Sequence, residues 1–121
     1  MVDPFADQRR FMDACDQTTN NEFNRGQYDL YRKLIAEEVR ELEEAVATED
    51  KVEQLDALID ILVVTIGAIH SMGADAEGAW NEVLQSNMAK INQSTGKVTK
   101  REDGKVLKPE GWKAPNLLPF L

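Results

Sequence analysis

Residues 37–60 read EEVRELEEAVATEDKVEQLDALID, and ten of these 24 positions are acids (Glu37, Glu38, Glu41, Glu43, Glu44, Glu49, Asp50, Glu53, Asp56 and Asp60) against two bases, Arg40 and Lys51. A solvated charge run would scatter such acids around a helix, so the side they occupy decides the reading. At about 100° per helical residue, with Glu37 at the origin, Glu41 falls at about 40° and Glu38 at about 100°, among Leu30, Leu34 and Ala45. Lys33, Arg40, Glu43 and Glu44 fall between about 240° and 340°, where no large apolar residue of this helix appears, and form the solvent-facing sector. Past the Thr48-Glu49-Asp50 turn the pattern repeats. Glu53, Asp56 and Asp60 share a face with Val63, Val64 and Gly67, on a helix that is apolar nearly all round from Ala57 to Ile69. Such a helix is expected to be buried between neighbours.

The same stretch sets the fold. No proline lies between Pro4 and Pro109, so long helices are free to fill the middle of the chain. A short helix starts at Asp3-Pro4 and runs to about Asp16, with Phe5, Phe11, Met12 and Cys15 as its apolar contacts. After a loop over residues 18–26, a second helix spans about Gln27–Ala47 and a third about Asp50–Met72. Gly73 is the natural stop of the third. The short connection makes these two antiparallel neighbours. Asp75 offers a cap for a fourth helix over about Ala76–Lys90, with Trp80, Val83, Leu84 and Met88 along one side. The expected class is all-α: a helical bundle of four main helices, residues 1–91, with an extended C-terminal arm, residues 92–121. The 121 residues form a single domain completed by oligomerisation, since a chain this small buries a modest share of its surface alone.

Composition narrows the function. The formal charge is −8, which disfavours binding to nucleic acid or to anionic lipid. Residues 97–113 nevertheless hold Lys97, Lys100, Arg101, Lys105, Lys108 and Lys113 against Glu102, Asp103 and Glu110. The chain opens with no basic and apolar leader, and its longest apolar run is too short to cross a bilayer; a cytoplasmic location is expected. The single cysteine, Cys15, reads as a reduced packing residue.

Five or six carboxylates on facing helices repel one another unless protons or cations neutralise them. At neutral pH a divalent cation is the expected answer. An all-oxygen donor set suits Mg²⁺, with Mn²⁺ as substitute, and Mg²⁺ completes its shell with waters and substrate phosphates. Glu38, Glu41, Glu53 and Asp56 are the expected ligands, with Glu37 beside them. Asp60 is either a further carboxylate facing the substrate or a hydrogen-bonded core acid. This chemistry points to phosphoanhydride cleavage.

Glu37-Glu38-Val39-Arg40-Glu41, eleven residues, then Glu53-Gln54-Leu55-Asp56 resembles the EExxE…ExxD signature of the all-α nucleoside triphosphate pyrophosphohydrolases: MazG-like proteins, dimeric dUTPases and phosphoribosyl-ATP pyrophosphohydrolases. The likeness extends through Ser86-Asn87-Met88-Ala89-Lys90 and Arg101-Glu102-Asp103-Gly104-Lys105-Val106-Leu107-Lys108, and covers roughly residues 28–112. It is similar to the compact, stand-alone branch, of house-cleaning or phage type. The resemblance implies Mg²⁺-dependent hydrolysis of a (deoxy)nucleoside triphosphate between the α and β phosphates, with metal-bound water as nucleophile. It assigns metal binding to Glu38, Glu41, Glu53 and Asp56, water activation to Glu37, and phosphate or sugar contacts to Asn87 and Lys90. Base recognition falls to the first two helices, at Phe11, Gln27, Tyr28 and Tyr31, each of which also suits plain packing. It further implies a homo-oligomer, a dimer or dimer of dimers.

Two readings compete with hydrolysis of a nucleoside triphosphate: the same cleavage on phosphoribosyl-ATP, and a non-enzymatic acidic helical adaptor. Carboxylate-bridged di-iron chemistry lacks its ligands, because it needs Glu-x-x-His pairs and the residue three before the single histidine, His70, is Gly67.

Overall fold

A computed structural model describes all of residues 1–121. It contains four α-helices, α1 (Pro4–Ala14), α2 (Arg25–Ala47), α3 (Lys51–Ser71) and α4 (Ala76–Met88), and one short 3₁₀ turn at Leu118–Phe120. The only β pairing is two isolated bridges in the arm. The class is therefore all-α. No single helix is long and apolar enough to cross a membrane. The chain divides into two compact units, residues 1–76 with Leu121, and residues 77–120.

In the first unit, side-chain caps set the helix starts. Asp3 accepts from Ala6 N and Asp50 from Glu53 N. The start of α2 lies two residues before the expected Gln27, because Asn24 is the cap and its Oδ1 accepts from Gln27 N at 3.1 Å. The first helix stops at Ala14 rather than Asp16: Asp16 adopts φ 57°, a left-handed conformation that ends α-helical hydrogen bonding. Gly73 stops α3 as expected, at φ 75°, and a Cβ there would lie 2.7 Å from the Glu22 carbonyl carbon. Only glycine fits both constraints.

Three residues, Thr48–Asp50, join α2 to α3, which reverses the chain and lays the two helices side by side. Their shared core is small: Met12, Tyr31 and Ala68, flanked by Tyr28, Leu34, Ile35 and Val64. The α1 helix adds Gln8 and Met12, one turn apart, and is tied to α3 through His70. That ring is buried; its Nε2 donates to Phe5 O at 2.9 Å, and its Nδ1 accepts from the Arg9 guanidinium at 3.3 Å. Arginine is always a donor, which fixes this tautomer.

Two expected core contacts of α1 are not core. Phe11 is 62% exposed and Cys15 is exposed at the helix C-cap. The inward face of α1 runs through Gln8 and Met12; Phe11 lies off it, and Cys15 comes after the last helical residue, as the C-cap. The apolar surround of α3 is likewise only half used: Val52, Leu55, Leu58, Ile59 and Leu62 are all exposed and fall within a sector about 120° wide.

The second unit consists of α4 and the arm. Trp80 is 63% exposed, so it is not the core residue its spacing suggested. Trp112 is the half-buried anchor of this unit, its indole N–H donating to Ser86 O at 2.7 Å.

Candidate active site

The expected acidic faces are adjacent across α2 and α3. Leu34 and Ile35 of α2 and Val64 of α3 pack around Tyr31, which sets the register of the helices and brings the α2 acids one turn later opposite the α3 acids one turn earlier. Glu38 sits at the centre of this arrangement. Its Oε2 is buried and has no hydrogen-bond partner. Burial, together with Glu41 beside it and the charges of Asp60 and Asp56 across from it, pushes its carboxyl up to about 7. The Asp60 carboxyl is also raised, by burial first and then by Asp56 and Glu41.

Four of the predicted acids thus share one field: Glu38 and Glu41 from α2, Asp56 and Asp60 from α3. Glu37 and Glu53 are exposed and are not among the charges that act on Glu38 or Asp60. Glu53 lies one helical turn before Asp56, on the same side of α3. Glu43 and Glu44 are exposed, as their sector requires.

An orphaned carboxylate oxygen in a cluster made only of carboxylates is the donor chemistry of a hard divalent cation. The residues fit Mg²⁺ in that sense. No three of them converge as a ready-made chelate, so a cation would draw them together by rotamer changes and fill the rest of its shell from water and phosphate oxygens.

Two predicted substrate residues have structural partners. Gln27 accepts from Thr18 N and donates to Thr18 O and Ser71 Oγ, all at 2.8 Å, which clamps the α1–α2 loop onto the end of α3. Tyr31 is 4% exposed and its hydroxyl donates to Gln17 Oε1. Tyr28 is half-buried, edge-on to Phe23 and beneath the Arg32 guanidinium.

Asn87 and Lys90 belong to the second unit, where Lys90 Nζ donates to Asn87 Oδ1 at 3.1 Å. The same ammonium stands 5.2 Å from the centre of the Trp112 ring, and Lys108 Nζ stands 5.1 Å from it. Lys108 and Trp112 were not singled out by sequence reasoning as partners of Lys90. The one available signal was compositional, a tryptophan set among lysines.

The phosphoribosyl-ATP pyrophosphohydrolase family matches residues 8–87, well over half of the chain and a span that includes every acid of the cluster. This is the relationship to which the EExxE…ExxD spacing pointed. No curated protein matches the chain.

Proposed function

The chain belongs to the phosphoribosyl-ATP pyrophosphohydrolase family, and from that premise we propose that it hydrolyses a (deoxy)nucleoside triphosphate between the α and β phosphates, releasing a monophosphate and pyrophosphate. The observation that carries the proposal is Glu38: a buried carboxylate oxygen with no hydrogen-bond partner, on a carboxyl raised by burial first and then by Glu41, Asp60 and Asp56. Such a group is costly unless it has a cation to bind.

In this reading Glu38, Glu41, Glu53 and Asp56 hold Mg²⁺, or Mn²⁺ in its place. Such an ion would supply positive charge to offset the charge that builds up in the transition state and would acidify the attacking water. Glu37, exposed and next to Glu38 in the chain, takes the proton as the water oxygen bonds to phosphorus and the α–β anhydride bond breaks. Pyrophosphate leaves with the bonding electrons. Asp60 holds the far side of the acidic field, and Asn87 and Lys90 contact phosphate or sugar oxygens.

The exposed α3 face of Val52, Leu55, Leu58, Ile59 and Leu62 supports a homo-oligomer, a dimer or dimer of dimers, in which a second copy covers it. A cytoplasmic nucleotide pool, cleansed or adjusted in the manner of a house-cleaning or phage protein, is the matching setting. The family match also favours a second reading, in which the same bond is cleaved in phosphoribosyl-ATP.

Both are tested by incubating the protein with each canonical and damaged (d)NTP, and with phosphoribosyl-ATP, in Mg²⁺, while resolving every phosphate product. Monophosphate plus pyrophosphate, absent with Glu38→Gln, is expected for at least one nucleoside triphosphate. Turnover of phosphoribosyl-ATP alone would transfer the assignment to that substrate. No turnover of any substrate, together with no Mg²⁺ binding, would favour the acidic adaptor.

A further inference from the structure

Asp103-Gly104 is the one aspartate–glycine step in the chain, and no asparagine precedes a glycine. A main chain is most open to self-modification at such a step, because glycine has no side chain to shield its amide nitrogen from the carboxyl group before it. Ring closure would join Gly104 N to Asp103 Cγ. One carboxyl oxygen then leaves as water, taking one proton from the carboxyl group and one from the amide. A second water reopens the succinimide at either carbonyl, giving back aspartate or giving isoaspartate, in which the main chain runs through Cβ and Cγ. The sequence of steps needs no oxidant or reductant. It does need a protonated carboxyl group, since an oxide does not leave, and an amide that is free to approach it.

The fold of the arm denies both. Asp103 lies in an exposed turn where the Arg101 guanidinium grips its carboxylate with two nitrogens: Nε donates to Oδ1 at 2.9 Å and Nη2 donates to Oδ2. Lys105 N adds a bond to Oδ1 at 3.1 Å. All of these donors favour the ionised form, and the carboxyl is held below the usual carboxylate range, by Arg101 first and then by Lys105 N. The Gly104 amide is committed elsewhere: it donates to Arg101 O at 2.9 Å, with Gly104 at φ 90°. Arg101 N donates to Lys105 O at 2.7 Å, and a bridge between Lys100 and Val106 closes the turn behind it. Arg101 therefore supplies two locks, its side chain on the carboxylate and its carbonyl on the amide. An exposed ion pair adds little to stability, so stability alone gives no reason for a two-pronged fork at this place.

We propose that Asp103-Gly104 is a site of isoaspartate formation and that Arg101 guards it, slowing ring closure in the folded protein. Failure of the guard would add one carbon to the main chain inside the turn and break the register of the Lys100–Val106 bridge. The site needs neither metal nor nucleotide, so the proposal stands or falls independently of the hydrolysis reading.

The test ages the whole protein in warm, mildly acidic buffer and measures isoaspartate by peptide mapping and by methyl transfer from S-adenosylmethionine with an isoaspartyl methyltransferase. Arg101→Ala is expected to accumulate isoaspartate at residue 103 about tenfold faster than wild type or more, the loss of a charge-assisted fork. Arg101→Lys, which keeps the charge without the fork, should fall between the two. Lys105→Gln leaves both locks in place and should age like wild type. Asp103→Glu in the Arg101→Ala background should abolish the signal, because glutamate would have to close a larger ring. Equal rates in wild type and Arg101→Ala, or a signal that Asp103→Glu does not remove, would overturn the proposal.

Discussion

The ring of Tyr31 occupies the space that a side chain at residue 67 would need: a Cβ on Gly67 would stand 2.3 Å from Tyr31 Cε1 and 2.6 Å from Cδ1. The packing of α2 on α3 at this point therefore depends on a missing methyl group. Gly67→Ala sets two effects against each other. Removing a glycine from a helix interior is worth about 1 kcal/mol, while forcing a methyl into a closed contact costs about 1–3 kcal/mol. The obstacle is a buried ring, which has little room to yield, so the steric term wins. We expect a net loss of about 1–2 kcal/mol, visible as a lower denaturant midpoint with unchanged m. A midpoint that rises would mean that the helices separate at no cost.

The hydroxyl of the same residue gives a second prediction. Tyr31→Phe removes the hydroxyl's bonds with Gln17 and with buried Gln8 and should cost about 1–2 kcal/mol in stability. If Tyr31 is a core residue, KM for the nucleotide should be unaffected. A rise in KM at unchanged stability would restore Tyr31 to the substrate-binding role that its position in the second helix suggested.

Much of this was legible because capping chemistry is local. Asp3-Pro4, Asp50 and Gly73 mark helix ends through their own side chains or their lack of one, and the helices begin and end there. The α2 start was misplaced by two residues because Asn24 had to be recognised as a cap through a hydrogen bond, not a pattern. Tertiary choices were less legible. Whether Phe11 or Met12 enters the core depends on how α1 meets α3, and α1 is tied there by bonds from His70 to Phe5 and Arg9, each more than sixty residues before it in sequence. The acidic faces were visible because both follow helical periodicity. The Trp112–Ser86 bond was not, since nothing in the spacing relates an arm indole to a helix-end carbonyl.

The protonation of Glu38 predicts how stability varies with pH. Its carboxyl is raised from 4.5 to about 7 in the folded chain, and Asp60 is displaced in the same direction. A raised carboxyl binds protons more tightly when folded, so its contribution to stability is full below 4.5 and is lost as pH rises through about 7. In EDTA, wild type should therefore lose more stability than Glu38→Gln between pH 5 and 8. Denaturant midpoints of both proteins across that range provide the measurement. Parallel profiles would show that Glu38 ionises normally and would remove the electrostatic basis for a cation site.

Mg²⁺ should reverse that loss. A ligand that binds only the folded state stabilises it by about 2.7 kcal/mol at a hundred times its Kd, and ionised carboxylates are the binding form. The rise in Tm on adding Mg²⁺ is thus expected to be larger at pH 8 than at pH 5.5. Glu41→Gln and Asp56→Asn should each abolish most of it and lower kcat/KM by about a hundredfold or more. Glu43→Gln and Glu44→Gln, in the solvent-facing sector of α2 and absent from the charges that act on Glu38, should change neither. A Tm response that survives both of the Glu41 and Asp56 substitutions would place the cation elsewhere.

The exposed face of α3 supplies the last prediction. Leu55 and Ile59 are one helical turn apart, 62% and 50% exposed, and their burial by a second copy is worth about 25 cal/mol for each Å² of apolar area removed from water. A charge at the centre of such a contact would be desolvated without a partner. Leu55→Glu or Ile59→Lys should therefore convert the proposed homo-oligomer to a monomer, measured by sedimentation velocity at micromolar concentration. Leu55 lies about 100° round α3 from Asp56 and Ile59 about 60°, so it is in the Leu55 variant that metal binding, read by Mg²⁺-induced stabilisation, tests whether the site needs its neighbour. If the monomeric variant still binds Mg²⁺ normally, the four coupled acids suffice within one chain. If binding is lost along with assembly, the exposed Glu37 and Glu53 take their places only when α3 is covered.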